Sequence, residues 1–168
     1  MITNKKYKEG YTLLVAALIG SFLLSISLSI LTLSEKEIRL AVATRDSQLA
    51  FYAADIGIEC AIYWDIRYSG GPSAFAENSG SALPNVADGI DCSQNDIVLG
   101  WVVDADGNSA TTTFFLDLGV FGYNNDLCAE VRVSKTNNGA NTKIESRGRN
   151  SCDTSNTRRV ERAIRVTY

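Results

Sequence analysis

The sequence predicts an α+β fold, with a long N-terminal α-helix packed on a C-terminal antiparallel β-meander. Three observations predict it. Residues 11–33, YTLLVAALIGSFLLSISLSILTL, contain no charged residue, Asn, Gln or Pro. The chain then runs to about residue 66 with no helix breaker. From Cys128 onward, apolar and polar side chains alternate with the period of a half-buried strand. The expected divisions are 1–10, a short basic leader; 11–33, the apolar half of the helix; 34–66, its amphipathic half; and 67–168, a globular loop and sheet region.

As a helix, residues 11–33 span roughly 35 Å, enough to cross a bilayer core. Lys5, Lys6 and Lys8 precede them and should stay cytoplasmic, which places everything after the helix outside. A cleaved secretory signal would have a shorter apolar run closed by a small-residue site, and no such site closes this one. Beyond the span, Ile38, Val42, Leu49, Ala53, Ile56, Cys60 and Trp64 recur mostly at spacings of three and four, which predicts an amphipathic continuation. Ala50, Ala53, Ala54 and Gly57 are small enough to let a sheet or another helix come close. Gly70, Gly71 and Pro72 stop the helix.

Residues 69–100 are rich in turn formers, hold both prolines, and read as the connection between helix and sheet. Strands follow at Val98–Val103 and Thr112–Leu118, joined by the turn DADGNSA centred on Asp106-Gly107. Three more are expected at Cys128–Thr136, Thr142–Gly148 and Arg159–Tyr168. The last places Val160, Ile164, Val166 and Tyr168 on one face, with Arg162 as a misfit. The apolar face of this meander needs a cover, and the helix around 38–64 is the candidate.

Composition narrows function. The chain has no His, which removes Ser-His-Asp and Cys-His catalysis and every histidine metal site. No nucleophile motif or phosphate loop is present, so no enzyme and no cofactor is expected. The formal charge of -3 argues against generic nucleic-acid binding. Charge is nonetheless segregated. Residues 74–127 hold eight acids and no Lys or Arg, whereas 132–168 hold nine bases and three acids. Arg132, Lys143, Arg147, Arg149, Arg159 and Arg165 are a candidate patch for an anionic ligand. Glu130, Glu145 and Glu161 interleave with them, and the competing reading is a cross-strand ion-pair ladder. Asp104, Asp106 and Asn108 have the first spacing of a calcium loop. Ser109 and Phe115 then replace the Gly and Glu that such a loop needs, so a turn is the expected role. Cys60, Cys92, Cys128 and Cys152 all follow the span. An even count outside the membrane suggests two disulfides, with three connectivities open. A zinc site from the same four lacks any C-x-x-C pair.

The junction Lys8-Glu9-Gly10-Tyr11-Thr12-Leu13-Leu14 resembles the prepilin cleavage motif of type IV pilins, in which a short basic leader ends in Gly before a long apolar helix. FYAADIGIECAIYW is similar to the same stretch of PilX-like minor pilins. The resemblance implies the pilin fold, cleavage between Gly10 and Tyr11 by a prepilin peptidase, and N-methylation of Tyr11. It implies other pilins or pseudopilins as partners through the N-terminal helix. It also implies an inner-membrane location before assembly and an extracellular filament after it. Pili can bind DNA or a surface receptor, so these count as further partners the resemblance allows.

At the fifth mature position, where major pilins carry Glu, this chain has Val15, and it resembles the large tip subunit of type II secretion pseudopili and the related minor pilins in lacking that Glu. A buried ammonium without a partner is costly, and Val15 can neutralise none on a subunit above it. The expected function is therefore a minor or tip subunit of a type IV pilus or type II secretion pseudopilus. A major pilin is the alternative within that class, and a non-assembling membrane-anchored binding module the alternative outside it. The favoured pairings are Cys60–Cys92, tying helix to loop, and Cys128–Cys152, which resembles the C-terminal disulfide loop of pilins.

Overall fold

A computed structural model describes residues 7–81, 89–92, 95–97, 101–119 and 127–168. The chain divides into two units, Met1–Ala43 and Thr44–Tyr168. One α-helix, α1 (Tyr7–Arg67), contributes to both. Seven strands follow: β1 (Asp91–Cys92), β2 (Asn95–Asp96), β3 (Val102–Ala105), β4 (Ala110–Asp117), β5 (Cys128–Thr136), β6 (Asn141–Arg149) and β7 (Glu161–Thr167). β1 and β2 form a two-residue antiparallel ladder. The other five form one sheet in sequence order, each antiparallel to the next. The fold is α+β, with a long helix packed on an antiparallel meander.

In the first unit the helix starts at Tyr7, four residues earlier than expected. A single Gly10 costs only about 1 kcal/mol inside a helix, so the long helix behind it propagates through. From Tyr11 to Ala43 every side chain is exposed except the half-buried Val15. This helix is long and apolar enough to cross a membrane. Four of its hydroxyl side chains bond to the helix's own backbone. Ser21 donates to the Leu18 carbonyl, Ser27 to Leu23, Ser29 to Ser25 and Thr32 to Ser29, each at 2.9 Å. Backbone-directed bonds of this kind remove hydroxyl groups from competition for water.

In the second unit the helix buries a seam of Asp46, Ala50, Ala53, Ala54, Gly57, Ile58, Ala61 and Asp65. The seam is narrower and smaller in side chain than the stripe expected. Leu49, Ile56, Cys60 and Trp64 flank it half-buried, and Ile38 and Val42 are exposed. Alanine and glycine take the centre because they let the helix axis approach the sheet. At Gly148 on β6 an added Cβ would run into the backbone of Ala50 and Ala54. At Gly57 it would run into Ser146 and lie 2.8 Å from Val131.

The sheet's inner face adds Phe114 and Leu116 from β4, Ala129, Val131 and Val133 from β5, and Ile144 from β6 to the core. The β5 alternation is as expected. The β3–β4 turn falls at residues 106–109, where Asp106 N–H donates to the Ser109 carbonyl at 2.8 Å. The first half of the expected strand 98–103 lies outside the described residues. The β5–β6 turn uses Asn137, Asn138 and Gly139, all at positive φ, a conformation Asn and Gly tolerate best.

The connection after the helix is more than a solvated linker. Ser73–Ala76 are buried. Phe75 stacks on Phe114 with centroids 5.8 Å apart and packs 5.2 Å from Trp101. A turn-rich stretch therefore contributes one of the largest core side chains. Its return is pinned by Ala74 N–H donating to the Trp64 carbonyl and by Trp64 Nε1 donating to the Asp91 carbonyl.

Candidate functional sites

Three regions carry the expected site residues. The first is the N-terminal helix. Tyr11 lies on it, 72% exposed, and Val15 follows one turn later. Gly10 is helical.

The second region is the pair of disulfides. Cys60 pairs with Cys92 and Cys128 with Cys152, with Cα separations of 5.9 and 5.7 Å, inside the ordinary range. These are the favoured pairings. The first joins the helix to β1; the second joins the start of β5 to the β6–β7 connection.

The third region is the outer face of the sheet. Register places Val102, Thr113, Arg132, Glu145 and Arg165 in one row across β3 to β7. Asp104, Thr111, Ser134, Lys143 and Thr167 form the next row. Together with Arg147, most of these side chains line a shallow groove of about 560 Å³. Within it Glu145 accepts from Arg147 at 2.8 Å and from Arg165 at 2.8 Å. Hydrogen bonds from Arg147 and then Arg165 hold its carboxyl at a pKa of about 2, well below the ordinary range. Next to the groove, Arg149 binds Glu161 at 2.7 Å and Glu130 at 3.1 Å. The ladder reading thus holds for Arg147, Arg149 and Arg165. Arg132 and Lys143 are exposed and have no carboxylate within ion-pair distance among the described residues. Arg159 does not line this groove; it is half-buried, and its Nε is buried without a hydrogen-bond partner.

The calcium-like residues serve turn geometry. Asp106 accepts from the backbone of Asn108 at 3.0 Å and from the backbone and hydroxyl of Ser109 at 2.9 Å. These bonds, that of Asn108 first, lower its pKa. Asp104 lies on β3 and lines the groove. Among the described residues no cluster of three acidic, Cys or His side chains could hold a metal ion.

One polar cluster has no precedent in the strand pattern. Lys135 sits on the inner face of β5 and is 4% exposed. Its ammonium lies 2.8 Å from Asp65 Oδ1, at the helix end, and 3.9 Å from Glu77. Ser73 Oγ donates to Asp65 Oδ1 at 2.5 Å and Tyr168 O–H donates to Asp65 Oδ2 at 2.6 Å. Burial, and then the Asp65 carboxylate, raise the Tyr168 pKa. Lys135 is one of the nine C-terminal bases yet takes no part in the surface patch. The signal that could have found it was its parity: on β5 it falls in step with Ala129, Val131 and Val133. Arg162 on β7, unlike Lys135, is exposed; its Nε donates to Ser47 of the helix at 2.8 Å, which gives the misfit a polar partner.

No family model, curated protein or solved structure matches this chain.

Proposed function

We propose that the protein is a structural subunit of a type IV pilus or type II secretion pseudopilus, in the minor or tip position. The observation that carries this reading is one unbroken helix with two chemistries. Residues 11–33 are uncharged and, apart from the half-buried Val15, exposed, and the helix's last turns are buried on a sheet. Such a helix suits a subunit that rests in a membrane and later packs against other subunits in an equally apolar filament core. The Lys8–Leu14 junction, the absence of Glu at position 15 and the disulfide-tied sheet support the same reading. The proposed partners are a prepilin peptidase, the inner membrane before assembly, and other pilins through the helix. The role is architectural and not catalytic.

Processing tests the class. Cleavage after Gly10 leaves Tyr11 as an N-methylated first residue. It removes three lysines and one glutamate, taking the formal charge from -3 to -5. N-terminal sequencing that finds Met1, or a cut after residue 33, defeats the proposal. Blocking that cleavage separates it from a membrane-anchored binding module, which needs no cleavage to work.

Position within the filament is tested separately. Head-to-tail protomers extend as a helical filament, and each interior ammonium needs a carboxylate from its neighbour. Wild-type protein should therefore label filament ends. Val15→Glu should leave initiation largely intact and permit incorporation along the shaft. Even shaft labelling by the wild type would assign it to the major-pilin class.

A further inference from the structure

We infer that the outer-face groove binds an extended anionic polysaccharide, with Arg132 and Lys143 engaging its acidic groups. The inference needs no pilin assembly, only a surface open to solvent. Charge comes first. Glu145 is shared by two guanidinium groups, so the Arg147–Glu145–Arg165 cluster keeps one net positive charge. Arg132 and Lys143 add two more, exposed and without carboxylate partners among the described residues. Asp104, the other acid lining the groove, is three strands from Lys143, or about 14 Å at the usual strand spacing. That exceeds the screening length of about 8 Å at physiological salt.

Shape and spacing select the ligand. Arg132 and Arg165 share a row but lie two strands apart, about 10 Å. One small oxyanion cannot span them, whereas a chain with acidic groups separated by neutral units can. Thr111, Thr113 and Ser134 line the same groove and offer hydroxyls to the neutral units. A nucleic acid suits it less well. Each strand carries a phosphate about every 3.4 Å, more charge than this groove can match. Among the described residues no aromatic ring lines the groove to stack a base.

The test is calorimetric titration of the full chain, held in non-ionic detergent, with a short hyaluronan oligosaccharide, in which carboxylate-bearing and neutral sugars alternate. Inorganic phosphate and a single-stranded oligonucleotide form the comparison arms. The expected result is salt-sensitive binding of the hyaluronan oligosaccharide. Arg132→Ser combined with Lys143→Ser should weaken it by about tenfold or more. Arg158→Ser should leave it unchanged, because that exposed arginine faces Asp46 at 3.6 Å and does not line the groove. Both replaced side chains are exposed, so the fold should survive, and a thermal melt checks this. Ser134→Asp, which adds a carboxylate beside Lys143, should weaken binding independently. No binding of the hyaluronan oligosaccharide, or equal binding by the double variant, overturns the inference. Phosphate bound as tightly reduces the groove to an ion site, and an oligonucleotide bound more tightly overturns the ligand class.

Discussion

On the inner face of β5, Lys135 is 4% exposed and meets a carboxylate that is also bound by Ser73 and Tyr168. On the outer face of β6, Glu145 meets two arginines that are 47% and 60% exposed. The two ion pairs have the same 2.8 Å contacts and opposite physical meaning. Inside, water cannot replace a lost partner, so the network holds the helix end, the following loop, β5 and the chain's last residue in one arrangement. Outside, water and salt stand in for either partner, so the ladder shapes surface charge and contributes little to stability.

The largest break in this comparison should come from Lys135→Met. It strands the Asp65 carboxylate in the core and should destabilise by about 3–5 kcal/mol. Pairing it with Asp65→Leu should recover most of that loss. Denaturant unfolding of both variants measures it, and a double variant no better than the single one would show that packing, not unpaired charge, dominates.

Gly148→Ala should follow, at about 1–3 kcal/mol, because its methyl group meets helix backbone that cannot move aside as a side chain can. A smaller loss would mean that the helix lifts from β6, which a change in hydrogen exchange around Ala50–Ala54 would reveal.

Tyr168→Phe sharpens the comparison at the half-exposed edge of the buried network. Losing one hydrogen bond there should cost about 1 kcal/mol. Its raised pKa means that the stabilisation is present below the ordinary tyrosine value and is lost as pH rises through the folded-state value. A spectroscopic titration should therefore show one late-ionising tyrosine that is absent from the variant.

Glu145→Gln should cost less at neutral pH than Lys135→Met, because both arginine partners stay hydrated. Its carboxyl titrates at about 2 in the folded chain against 4.5 normally, so its contribution is present above 4.5 and lost as pH falls through about 2. Thermal melts between pH 5 and pH 2 should fall more steeply for the wild type than for the variant. Parallel curves would show that the two arginines do not hold Glu145 in solution.

Much of the fold was legible because it depends on local pattern. The 23 uncharged residues at 11–33, the absence of a breaker to 66 and the Gly-Gly-Pro stop determine one long helix. Period-two alternation determines the inner faces of β5 and β6. The cysteines had three open pairings on the sequence alone, and the favoured one matched.

Other features were decided only by tertiary structure, because they depend on partners distant in sequence. Phe75 lies in a stretch of turn formers, and its burial follows from the cavity that Phe114 and Trp101 complete. The helix seam settled on Ala50, Ala53, Ala54 and Gly57, and not on the larger Leu49 and Ile56, because Gly148 on β6 permits close approach only where the facing residues are small. Lys135 and Arg147 are both bases on alternating strands. Only the sheet's register and the helix above it determine that one is buried against Asp65 while the other shares Glu145 with Arg165 in solvent.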